Sequence, residues 1–211
     1  MSGSSSNKLV GVAMMVAVLG VGAVFLAQES TPGLTDITEV SSQLPDYGLE
    51  ITVAGEADGT VVIDLLEGVA PNHVERIVTL AQEGSYDDVI FHRVIDGFMA
   101  QTGDVQFGKV GGDKRMAGRG GSSYSDLAQE FSEVPYERGT VGMARSQNPD
   151  SANSQFFIMF DQGYFLNGQY TVVGQVTAGM DVIDAIKRGH PRTGAVDGDP
   201  DRMVSVKVTQ N

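Results

Sequence analysis

FHRVIDGFMAQTGD, running from Phe91 to Asp104, sets one arginine and one glutamine among large apolar side chains with no nucleophile beside them. Its runs Val89 to Ile95 and Phe98 to Gln101 are rich in β-branched and aromatic residues and read as strands. On a strand successive side chains point to opposite faces, so Arg93 is turned away from His92 and the histidine is not its natural acid or base partner. A guanidinium does not lose its proton, and in apolar surroundings it is a fixed hydrogen-bond donor. Such a stretch can bind and polarise a ligand but has no means of cutting one. Taken alone, it is equally consistent with a buried ion pair between Arg93 and an acid such as Asp104.

Outward from this stretch, period-two or β-branched runs recur at 49–53, 60–65, 140–143, 156–160, 171–176 and 203–208, which makes eight candidate strands, enough to close a barrel. Two helical patterns interrupt them. Residues 70–81 carry Pro71 near the first turn, Val74, Ile77, Val78 and Ala81 on one face, and a stop at Gly84. Residues 179–189 repeat the logic, with Lys187 and Arg188 expected in the last turn and Gly189 as terminator. Helices of this kind are suited to plugging the ends of a barrel.

With 211 residues, 41% of them hydrophobic, the chain can bury one sizeable core, and 27 glycines and 7 prolines favour many turns over a helical bundle. A net charge of −13 repels polyanions, so nucleic acid is not an expected partner. The absence of cysteine removes disulfides, thiolate chemistry and Cys-ligated zinc together.

From Leu9 to Ala27 no residue is charged, and at about 1.5 Å rise per residue the run nearly spans a bilayer core of about 30 Å. Lys8 precedes it and Glu29 follows it, an orientation that places the rest of the chain outside the cytoplasm, on the periplasmic side. Residues 1–27 are expected to form an N-terminal hydrophobic helix acting as membrane anchor, or a signal peptide cleaved after Val21-Gly22-Ala23. Residues 28–47 mix Ser, Thr, Pro and acids without period and read as a flexible linker, leaving 48–211 as the globular domain.

Several local patterns fail as sites. Gly103 to Val110 resembles the start of a phosphate-binding loop, but Val110 stands where a hydroxyl must reach magnesium, and the GGDKRMAGRGG that follows reads as a mobile glycine-rich loop. His73, His92 and His190 lie far apart with no second ligand at metal spacing. Asp197, Asp199 and Asp201 lack the glycine and the terminal glutamate of a calcium loop. No GxSxG elbow is present.

FHRVIDGFMAQTGD, GTVGMARSQNPDSANSQFFIMF (Gly139 to Phe160) and LNGQYTVVGQV (Leu166 to Val176) together resemble the signature blocks of cyclophilin-type peptidyl-prolyl cis-trans isomerases, in order and at compatible spacing. The resemblance implies a mainly β fold, a closed eight-stranded antiparallel β-barrel capped by two α-helices. It implies that Arg93 and Gln101 are catalytic, Arg93 as donor to a twisted amide and Gln101 as a holder of the neighbouring backbone. It assigns Phe98, Met99, Phe157 and Leu166 to a proline-ring pocket, the backbone around Ala144 and Arg145 to alignment of the preceding residue, and Phe165 and Tyr170 to the pocket border. Family members often carry Asn at Arg145, Trp at Phe165, His at Tyr170 and Gly at Thr102. The implied activity needs no cofactor or metal, its partners are proline-containing segments of unfolded or newly exported proteins, and the domain is expected to act as a monomer. A peptide-binding chaperone or scaffold that kept the fold with little turnover is the alternative.

Overall fold

The computed structural model describes residues 46–210. The anchor or signal segment, and with it the expected N-terminal helix, lies outside the described residues, as does the linker up to residue 45. Among the described residues no helix is long and apolar enough to cross a membrane.

Nine strands follow one another as β1 (Tyr47–Ala54), β2 (Gly59–Leu65), β3 (Val89–Ile90), β4 (Arg93–Ile95), β5 (Met99–Thr102), β6 (Thr140–Met143), β7 (Phe156–Met159), β8 (Val172–Ala178) and β9 (Arg202–Gln210). They form a single sheet in the order β3-β9-β1-β2-β8-β6-β7-β5-β4, antiparallel at every pairing. The chain is mainly β, as expected, but the closed ring of eight strands is corrected. The run 89–95 is not one strand. It is divided at Phe91 and His92, whose backbone groups are claimed by a distant segment: Phe91 N donates to Asp201 O at 2.8 Å, and Val196 N donates to His92 O at 3.3 Å. The two halves become the edges of a curled half-barrel, and no ladder joins β3 to β4.

Alternation along the strands fills the inside of the curl. Leu49, Ile51 and Val53 of β1 and Val61, Ile63 and Leu65 of β2 all belong to one buried cluster, each worth roughly 1.5–3 kcal/mol of burial. Helix α1 (Pro71–Gln82) lies against β9 and adds Val74, Ile77, Val78, Leu80 and Ala81 to that cluster. Its N-cap, Ala70, has no side chain able to bond the first N–H groups. Glu130 supplies the cap from elsewhere, accepting from the backbone N–H of Asn72 (3.2 Å) and His73 (3.0 Å) and meeting His73 Nδ1 at 2.5 Å. Burial pushes the Glu130 carboxyl up, and the bonds from His73 and Asn72 outweigh it, holding the group below the usual carboxylate range.

Helix α2 (Met180–Ala185) lies against β2 and is shorter than its sequence pattern. Lys187 N donates to Asp201 Oδ2 at 2.7 Å and Ile186 leaves the helix at ψ 133°, so Lys187 and Arg188 fall beyond the last turn. Two of the three aspartates near the C-terminus are engaged separately. Asp201 is buried on the N–H groups of Ala57 and Lys187, while Asp199 faces Lys114.

Candidate active site

Strand register brings the two central residues together. Arg93 on β4 stands directly opposite Gln101 on β5, and Gln101 opposite Phe157 on β7, so one row across three strands presents a guanidinium, an amide and a ring on one face. Arg93 is half-buried and held by three contacts: Nε donates to Thr193 O (3.2 Å), and Nη1 donates to Gln101 Oε1 (3.2 Å) and to Met99 Sδ (3.7 Å). Nη2 has no partner among the described residues and is the donor left for a ligand. Burial shifts the guanidinium downward from its ordinary range, with Tyr170 opposing. Gly194 makes the close approach of the 193–195 segment possible. Its φ is +76°, and a Cβ there would sit 2.8 Å from Arg93 Cγ and 2.7 Å from Ile95 Cγ1.

A cavity of about 330 Å³ opens on this face, and its lining is Arg93, Phe98, Met99, Gln101, Ala144, Arg145, Phe157, Phe165, Leu166 and Tyr170. The structure thus gathers around one space all the residues that the family resemblance assigned to catalysis and substrate binding. Met99, Phe157 and Leu166 form its buried floor with Tyr136, Met159 and Val172. Tyr136 stacks on Phe157 at 5.7 Å, and Gly142 makes room for it, since a Cβ there would meet the Tyr136 hydroxyl at 2.4 Å. Leu166 ends the short 3₁₀ turn Tyr164–Leu166. Its neighbour Phe165 is 66% exposed and leans on Phe98 at 5.5 Å, while Tyr170 meets the Phe157 ring edge-on at 5.8 Å. Arg145 covers Tyr170 at 4.3 Å and spends its N–H groups on the carbonyls of Gln169 (2.8 Å) and Ser146 (2.8 Å).

The ion pair between Arg93 and Asp104 does not form. Asp104 is fully buried and bonded to the backbone of the glycine-rich loop at Gly118 and Gly120. His92 faces away from the cavity. Its ring is buried, and burial drives its pKa down to about 4 although Asp104 works against the shift. Three contributors escaped sequence reasoning: Gln155, which accepts from Gln101 Nε2 at 2.9 Å; Thr193, which anchors Arg93; and Tyr136 beneath the floor. Gln155 stood within a quoted signature block, two residues before Phe157 on the same face. Thr193 acts through its carbonyl and leaves no side-chain signal. Among the described residues no cluster of His, Cys, Asp or Glu is able to hold a metal.

The cavity thus sets a fixed hydrogen-bond donor above an apolar floor, with no carboxylate or histidine side chain among its lining residues. The chain belongs to the cyclophilin type peptidyl-prolyl cis-trans isomerase/CLD family, whose model matches residues 49–210. A "probable peptidyl-prolyl cis-trans isomerase" of Brucella suis is 57% identical over 153 residues, covering 72% of this chain and 78% of the relative. Two crystal structures of a Cryptosporidium parvum cyclophilin type peptidyl-prolyl cis-trans isomerase superpose on the domain. The first has a TM-score of 0.65 at 24% identity, over 79% of this chain and 99% of that one, and supports the fold. The second, determined in the presence of the dipeptide Ala-Pro, has a TM-score of 0.64 at 25% identity, over 78% and 99%. The chain is accordingly a peptidyl-prolyl cis-trans isomerase.

Proposed function

We infer that this isomerase turns X-Pro bonds in unfolded or newly exported polypeptides outside the cytoplasm, with Arg93 as the residue that lowers the barrier. The observation that carries the reading is the unpartnered Nη2 of Arg93 beside the apolar floor of Met99, Phe157 and Leu166. A peptide bond resists rotation because amide resonance must be broken, at about 18–20 kcal/mol. In the flat amide the prolyl nitrogen is not basic; in the twisted amide its lone pair is localised and accepts a hydrogen bond. A donor aimed there binds the twisted state better than the flat one, which is the requirement for acceleration. Lowering the barrier by about 7 kcal/mol corresponds to a rate gain of about 10⁵.

In this reading Phe98, Met99, Phe157 and Leu166 receive the proline ring, and Gln101 steadies the guanidinium. The backbone at Ala144 and Arg145 aligns the residue before proline, with Phe165 and Tyr170 bordering the ring. A protease-coupled assay of the full-length protein on an Ala-Pro tetrapeptide tests it: Arg93→Ala should lose about 10²–10³ of kcat/KM while remaining folded. Equal rates with and without the wild-type protein would instead favour a peptide-binding chaperone or scaffold.

The extracytoplasmic placement rests on the uncharged segment 9–27 behind Lys8. Protease added to intact spheroplasts should digest the domain. Digestion only after the inner membrane is opened would overturn this part of the reading.

A further inference from the structure

The Asp104 carboxylate is fully buried, yet it meets no cation. Its Oδ1 accepts the backbone N–H of Gln106 (3.1 Å) and Phe107 (2.8 Å), and its Oδ2 accepts those of Gly118 (2.7 Å) and Gly120 (3.0 Å). One acid thereby ties the start of the glycine-rich loop to its end. The loop closes so tightly that a Cβ on Gly120 would lie 2.5 Å from Asp104 Oδ1, and one on Gly108 would lie 2.5 Å from the Asp104 carbonyl oxygen.

From Gly120 the bonding runs directly to the site. Gly120 O accepts from Gln155 Nε2 (2.7 Å), Gln155 Oε1 accepts from Gln101 Nε2 (2.9 Å), and Gln101 Oε1 accepts from Arg93 Nη1 (3.2 Å). The polarity of this chain is fixed from both ends, because the Arg93 guanidinium only donates and the Gly120 carbonyl only accepts. A side-chain amide can present either end to a neighbour, but a backbone carbonyl only accepts. Gly120 therefore obliges Gln155 to offer its nitrogen outward and its oxygen to Gln101. Gln101 in turn commits its nitrogen to Gln155 and leaves its oxygen for the guanidinium.

We propose that Asp104 is a positioning residue for the isomerisation: by fixing where the Gly120 carbonyl stands it holds the Gln155 and Gln101 amides in place and so aims Arg93 at the cavity. The proposal rests on the role given to Arg93 above. It is tested in the full-length protein with Asp104→Asn, which keeps the shape but turns an amide N–H toward backbone N–H groups, and with Gly120→Ala, which keeps the charge and displaces the carbonyl. Gly68→Ala, where a Cβ would meet nothing within 4 Å, serves as control.

Both test variants should lower kcat about tenfold with KM within about twofold, and the control should match wild type. The double variant Asp104→Asn/Gln155→Leu should be no slower than the slower single one, because both act through one path. The side-chain amide resonances of Gln101 should shift in both test variants. Multiplying losses in the double variant, wild-type kcat in Gly120→Ala, or unmoved Gln101 resonances would each overturn the proposal. If Asp104→Asn does not fold, Gly120→Ala decides alone. A wild-type protein without activity would sink the role of Arg93, whereas the amide spectra would still decide whether Asp104 orients the network.

Discussion

The two apolar clusters of this domain are built from the same strands and end differently. Along β7, Phe156 and Ile158 enter the inside of the curl with Leu49, Ile51 and Val94, whereas Phe157 and Met159 enter the outer cluster with Met99, Tyr136 and Leu166. Strand β5 divides in the same way, sending Ala100 inward and Met99 outward. The inner cluster is sealed by α1 and the sheet itself. The outer one runs out through half-buried Phe98, Ala144 and Tyr170 to the exposed ring of Phe165, with Arg93 at its mouth. The pocket is thus a second core left open on one side, and the guanidinium stands where the missing side chains would have packed.

Adjacent residues of β7 give the sharpest way to break this contrast. Ile158→Ala should cost about 2–5 kcal/mol in denaturant unfolding and leave the kcat/KM of the folded fraction within about twofold. Phe157→Ala should cost about 3–5 kcal/mol and also lower kcat/KM more than about tenfold, because the ring serves as both packing and pocket floor. Proportional losses of stability and activity in both variants would erase the distinction.

A smaller effect separates His92 from Arg93, neighbours on opposite faces. Burial lowers His92 from its ordinary 6.5 to about 4 in the folded chain. The unfolded chain takes up that proton first, so this contribution to stability is complete above about pH 6.5 and is lost as the pH falls toward 4. The drop in urea midpoint between about pH 7 and about pH 4.5 should be shallower in His92→Gln than in wild type. An equal drop in both would show that His92 is not held neutral. The smallest effect concerns Tyr136, whose buried hydroxyl has no partner among the described residues. Tyr136→Phe should leave kcat/KM unchanged and shift stability by about 1 kcal/mol or less, in the stabilising direction. A clear destabilisation in thermal unfolding would mean that the hydroxyl is bonded.

What the sequence displayed and what it hid follow one physical line. Strand period is local, and the strands were legible from alternating residues such as those of 49–53 and 60–65. The division of 89–95 was not, because Phe91 and His92 are as compatible with a strand as their neighbours. Their departure is set by Asp201 and Val196, more than a hundred positions away. The early end of α2 has the same kind of cause, since Ile186 would continue the helix were Lys187 not captured by Asp201. At the site, no property of Phe98, Met99 or Phe157 taken singly separates pocket from core. Only the resemblance of three blocks marked them, and only register shows why they converge. The part played by Asp104 lay beyond both, because its four partners are backbone groups, which carry no residue identity.

The seam between β3 and β4 also bears on how the chain reaches this form. Strand β9 pairs with both β1 and β3, and the segment just before it covers Phe91 and Val94. The first strand of the domain therefore waits for the last. A nascent chain that has emerged only as far as α2 has an unpaired edge on β1, a β3 held only by the 108–110 segment, and an Arg93 lacking the Thr193 carbonyl that holds it. Contacts of such long sequence separation form late and slowly. The contact that holds Arg93 is therefore made only after synthesis has passed Thr193, a hundred positions later.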